Sequence, residues 1–277
     1  VGQQLADGLD FWGFLGSLIL GGIILGIYTG LLGYVGAKTG LSLDLLSQRA
    51  FGEKGSYLPS AMTSFTQIGW FGVGSFVSGG TATPNFARFA KNGKSGAITT
   101  VVAFFIGNSL MFFFGAVSSI FVGGNDIFEV MVRLNLFYLA VLVLGLNIWT
   151  TNDNALYTAG LGLANIFHQR KKPMVLLSGI IGTVASVWLY YNFCGWLNIL
   201  NCTLPPVGMI LVLAYFMNKE DFETDQPKLK TIDWFAVAGV ILGAIVANLL
   251  HWGIASINGM VAVSYTHLRA HETRHDL

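Results

Sequence analysis

The sequence predicts an all-α polytopic membrane protein, and three observations carry that reading. Of its 277 residues, 53% are hydrophobic and only 10% charged, with a mean hydropathy of +0.63; a soluble domain carries roughly 25% charged residues. The few charges are also unevenly placed. Residues 11–37, 55–87, 95–125 and 173–218 contain none, and residues 134–169 contain one, Asp153. Finally, the chain lacks the alternation of ~10-residue strands that marks a membrane barrel. This composition excludes a disordered chain, a nucleic-acid-binding protein and almost any soluble enzyme. A net charge of +1 supplies no field to steer a polyanion. The 35 glycines and 21 phenylalanines fit a helix bundle in lipid, where glycine lets helices approach closely.

Each uncharged stretch is long enough for the ~20 helical residues of one crossing. Residues 11–37 form the first span, and no charged segment with a cleavage site precedes it, so it does not read as a signal peptide. Residues 95–125 and 134–169 give one span each. Residues 173–218 can cross twice, with a turn near Asn192, Phe193, Cys194 and Gly195. A further span covers residues 232–252. Cys194 and Cys202 have no zinc or disulfide spacing and read as small apolar residues.

Lysine and arginine set the orientation. Lys38, Arg49 and Lys54 share one loop, and Arg88, Lys91 and Lys94 the next. Arg133 stands alone, Arg170, Lys171 and Lys172 form a third rich loop, and Lys219, Lys228 and Lys230 a fourth. The rich loops are expected on the cytoplasmic side. The first two require an even number of crossings between them, yet residues 55–87 are too long for one span and too short for two. Either this stretch is re-entrant or sequence is missing within it. After Val263 the chain turns polar, and His267, His271 and His275 recur every fourth residue. A shared helix face of histidines invites a metal reading. The alternative, a non-native tail over residues 264–277 joined to a span cut short, is the one adopted.

No enzyme constellation emerges among the residues. The informative features are polar groups at membrane depth, which are costly there and mark function. In residues 144–157, Asn147, Thr150 and Thr151 share one helix face. Their neutral oxygens suit Na⁺; the competing reading is interhelical hydrogen bonding with threonine bonded back to its own helix. Asp153 reads as an ion ligand or proton carrier, or, as preferred here, as a residue near the cytoplasmic end paired with a lysine or arginine. In residues 66–81, Gln67 and Trp70 lie one turn apart. They offer a donor–acceptor pair and a flat stacking surface for a planar heteroaromatic solute. Ser75, Phe76 and Ser78 fall in a glycine-rich break of the kind that exposes backbone groups at a midplane site. A glycine–serine packing face with an interfacial tryptophan is the alternative. The PPVG at residues 205–208 is expected to kink or start a helix, the small residues of 25–40 to pack closely, and His251 to be interfacial.

The motifs LGIYTGLLGYVGAKTG, QIGWFGVG, SFVSGGT, GNSLMFFFGA and LGLNIWTTNDNALYTAGLG resemble the nucleobase–cation symporter 1 (purine–cytosine permease) family of bacteria, over residues 8–263. The resemblance implies a sodium–amino-acid-symporter-like inverted-repeat fold, here partial. It also implies secondary transport of cytosine or a related nucleobase with Na⁺ as coupling ion, in a multi-pass protein of the bacterial inner membrane, with no catalytic residue and no cofactor. Trp70 and Phe76 would stack on the base, Gln67, Ser75, Ser78 and Asn147 would bond its edge, and Asn147, Thr150 and Thr151 would hold Na⁺. The expected partners are nucleobase, Na⁺ and lipid, with no nucleic acid. Residues 1–263 would form one transporter domain lacking the family's helices one, four, five and most of twelve, with Gly74 and Ser75 joining its third helix to its sixth. A non-transporting fragment and a membrane-embedded enzyme subunit are the alternatives.

Overall fold

A computed structural model describes residues 11–73, 82–123, 127–227, 229–250 and 254–275. The helices begin and end where local chemistry dictates. The apolar run after the N-terminus forms α1, Phe11–Thr39, and Gly40, at φ 69°, ends it. Ser42 caps the short α2, Leu43–Phe51, by accepting from Leu45 N. α3 runs Tyr57–Val73, and a single turn, α4, covers Pro84–Ala87. Asn92 caps α5, Gly93–Val102, which continues through a π-turn, Ala103–Gly107, into α6, Asn108–Val122. α7 is Ile127–Arg133 and α8 Phe137–Phe167, closed by His168 in the left-handed region. α9, Lys171–Tyr191, and α10, Phe193–Met217, meet at Asn192, the turn expected from the sequence. α11 is Lys219–Glu223, and Asp233 caps α12, Trp234–Leu249. α13 is Ala255–His275.

Of the two readings of PPVG, a helix start is ruled out, because Pro205 and Pro206 lie inside α10, where the kink reading would put them. α13 carries the chain without interruption from Ala255 through Val263 to His275. Residues 264–275 contain no glycine or proline to stop it.

Small residues bring the helices together. A Cβ on Gly33 of α1 would lie 2.5 Å from Thr100 Oγ1 of α5, and one on Gly162 of α8 would run into Ser64 of α3. Residues 25–40 do therefore pack closely. The largest core, including Leu32, Leu46, Phe51, Ile210 and Tyr215, joins α1, α2 and α10. Cys202 is buried, as expected of a small apolar residue. Elsewhere large apolar side chains are exposed, among them Phe121, Tyr138, Trp149 and Val184, as suits helices that face lipid. Among the described residues, four helical stretches are long and apolar enough to cross a membrane: Trp12–Thr39, Gly93–Arg133, Lys171–Leu189 and Gly195–Met217.

Candidate functional site

α3 and α8 run against each other along facing polar seams. On α3, Ser60, Ser64 and Gln67 recur every three or four residues, so they share one face. Ser64 Oγ donates to Ala159 O of α8 at 3.1 Å. A cavity of about 1160 Å³ is lined by residues of α3, α5, α6, α7, α8 and the strap of residues 82–90.

Gln67 lines this cavity from α3, and Asn147, Thr150 and Thr151 line it from α8. Two motifs about 80 residues apart in sequence are thus brought to one space. Gln67 is 6% exposed. Thr150 Oγ1 donates to Leu146 O at 3.0 Å and Asn147 O at 3.1 Å. This is the back-bonding weighed as an alternative to ion binding, and it does not compete with it. The donated proton leaves the hydroxyl lone pairs available to a cation. Trp70 belongs to α3, with its side chain outside the described set, and Ser75, Phe76 and Ser78 lie outside the described residues.

The cavity also takes in polar residues that the motif reading passed over. Asn154 and Thr158 extend the α8 face, and Asn108 adds an amide from α6. Thr158 is 2% exposed, and its hydroxyl is buried with no hydrogen-bond partner. A signal for both α8 residues was present, since they continue the three-and-four spacing that starts at Asn147 and Thr151. The remaining walls are largely apolar, with Phe86, Phe104 and Phe128 among them. Apolar walls with a few convergent polar groups are the usual character of a small-molecule site.

Asp153 departs from expectation. It sits near the middle of α8, exposed, and among the described residues it belongs to none of the three ion pairs. The helical step explains this: one residue turns the side chain about 100° away from its cavity-lining neighbour Asn154.

The cationic loops converge at one end. Tyr57 Oη lies 3.0 Å from His168 Nε2, Arg88 donates to Tyr157 Oη at 2.5 Å, and Lys171 Nζ stands 3.6 Å from the Tyr157 ring centroid.

Residues 1–82 and 73–267 match the family described as permease for cytosine/purines, uracil, thiamine, allantoin. The cytosine permeases of Escherichia coli strains K12 and O157:H7 are 36% identical over 359 residues, covering 95% of this chain and 85% of theirs. The allantoin permease of Bacillus subtilis strain 168 is 34% identical over 82 residues, 30% of this chain and 16% of the relative. The chain belongs to the cytosine/purine permease family and is a multi-pass membrane protein and a permease rather than an enzyme.

Proposed function

We propose that this permease takes up cytosine or a closely related nucleobase together with Na⁺, across the bacterial inner membrane, through the cavity between α3 and α8. The observation that carries the reading is the convergence of Gln67 with Asn147, Thr150 and Thr151 on one cavity. An amide with a donor and an acceptor matches the edge of a nucleobase, and neutral hydroxyl and amide oxygens match a hard monovalent cation. Trp70, Phe76, Ser75 and Ser78 complete the base site in this proposal.

We further propose that the single transporter domain of residues 1–263 is interrupted within residues 73–82. The two family matches meet there. The alignment to the E. coli relative spans 359 residues against 277 in this chain, so at least 82 positions have no counterpart here.

The test is uptake of radiolabelled cytosine, with and without Na⁺, in cells lacking their own permease. The 277-residue chain is compared with one in which the relative's intervening segment is restored between residues 73 and 82 and the relative's first and last helices are added. Na⁺-stimulated uptake by the restored chain supports the proposal. Uptake indifferent to Na⁺ removes the coupling ion, and none at all in the restored chain removes the substrate.

A further inference from the structure

The polar face of α8 does not stop at the cavity. Asn165 lies 18 residues beyond Asn147. That is about five turns and ~27 Å, so the two share one azimuth on the helix, with Asn154 and Thr158 within about 20° of it. At Asn165 the face meets a buried network from two other helices. Asn165 Nδ2 donates to Ser60 Oγ at 2.9 Å and to Ser56 Oγ at 3.1 Å, and its Oδ1 accepts from Gln48 Nε2 at 2.6 Å. Ser60 Oγ in turn donates to Asp44 Oδ1 at 2.6 Å, and Asp44 is 6% exposed. The acid on α2 therefore orients the hydroxyl on α3, which orients the amide on α8. Arg88, whose charge acts on Asp44, donates to Tyr157 on the same helix.

We propose that Asp44 and Asn165 are positioning residues, which fix the rotation of α8 about its axis and so keep Asn147, Thr151, Asn154 and Thr158 turned into the cavity. α8 is one unbroken helix of 31 residues, so a rotation fixed at Asn165 is fixed along the whole face. The close fit of Gly162 against Ser60 and Ser64 opposes sliding but does not select an azimuth as directional hydrogen bonds do. The proposal rests on the reading of this cavity as the ligand site, and its test does not require transport.

The test uses the full 277-residue chain with Cys194 and Cys202 replaced by alanine, reconstituted in phosphatidylethanolamine–phosphatidylglycerol nanodiscs. Single cysteines are placed at Asn154, which lines the cavity, or at Asp153, which does not. The two lie at nearly equal depth and differ in azimuth, so their relative labelling by a water-soluble maleimide reports rotation. Asn154→Cys should label several-fold faster than Asp153→Cys. Asp44→Ala and Asn165→Leu should bring the two rates together, with Ser60→Ala as a milder change in the same direction. Asp44→Asn, which keeps an acceptor for Ser60, should retain the parent ratio. An unchanged ratio in Asp44→Ala, Asn165→Leu and Ser60→Ala, with only protein yield reduced, would mean the network merely holds helices together and overturns the proposal. A parent with no preference between the two positions overturns it as well. Equilibrium cytosine binding to the same parent tests the functional reading separately: a normal ratio without binding removes that reading and leaves the positioning role standing.

Discussion

Ser60 on α3 and Asp44 on α2 are joined by a 2.6 Å hydrogen bond to a carboxyl that is 6% exposed. Burial pushes the Asp44 carboxyl up to about 6, more than the Ser60 hydroxyl and the Arg88 charge pull it down. The folded state therefore holds this proton more tightly than the unfolded state, whose value is 3.8. Stability from this group falls as pH rises from about 4 to about 6, and the deficit is full above that window. At ~1.4 kcal/mol per unit the deficit is of order 3 kcal/mol. Asp44→Asn should therefore raise the thermal midpoint in detergent at pH 8, and the gain should shrink towards pH 4. A midpoint lowered at pH 8 but not at pH 4 would show instead that the carboxylate is needed for stability.

Replacing both Thr150 and Thr151 by valine keeps their shape and removes two cavity-lining oxygens. In the restored chain, Na⁺ stimulation of cytosine uptake should disappear while membrane insertion persists. Sodium dependence that survives the double substitution excludes these threonines as ligands.

Gln67→Leu should weaken cytosine binding by roughly 5- to 150-fold, the equivalent of ~1–3 kcal/mol for leaving one bonded partner unpaired. Trp70→Ala should lose a comparable ~1–3 kcal/mol if it stacks on the base, with Trp70→Phe retaining much of it. Equilibrium binding of labelled cytosine decides both, and affinities equal to the parent's would make these residues structural.

Glycines of α1 that look alike in sequence should differ on substitution. A Cβ on Gly26 would meet Val101 at an ordinary 3.7 Å, whereas on Gly33 it would lie 2.5 Å from Thr100 Oγ1 and 3.1 Å from the Gly96 carbonyl. Gly26→Ala should be neutral or stabilising by up to ~1 kcal/mol. Gly33→Ala should cost about 1–3 kcal/mol through overpacking. Thermal unfolding of the two single variants measures the contrast, and equal midpoints would contradict it.

Four of the expected spans, those in residues 11–37 and 95–125 and the two in 173–218, were legible because charge scarcity and run length are properties of the sequence itself, whereas α8 and the 16-residue α12 do not meet both conditions. So was the Asn192 turn, where a 46-residue uncharged run exceeds one membrane thickness. The Asn147, Thr150 and Thr151 face followed from helical spacing. That Gln67 would share its cavity could not be read from spacing, since the pairing is set by how α3 and α8 pack. The Asp44–Ser60–Asn165 network was missed for the same reason. Its members are ordinary loop-side polar residues in sequence, and only the close approach of α2, α3 and α8 makes them a unit. Asp153 was misassigned because its place along the chain says nothing of its azimuth. Which of the two PPVG readings holds was not legible locally, because the packing of Val207, Ile210 and Leu211 in the core is what keeps the prolines inside one helix.

The polar face of α8 bears on how the protein enters its membrane. At 31 residues α8 is the longest helix described, yet it is not among the four stretches apolar enough to cross unaided. A central aspartate alone raises the insertion cost of an isolated helix by roughly 3 kcal/mol, and Asp153 has amides and hydroxyls on both sides of it. Such a segment gains little by partitioning alone. Only three residues separate it from α9, an apolar helix that opens on Lys171 and Lys172 and packs against both α8 and α3. Biogenesis should thus treat α8 and α9 as one hairpin, with the second helix drawing the first into the bilayer. The residues that make the cavity chemically useful make its principal helix dependent on its neighbours from the moment of synthesis.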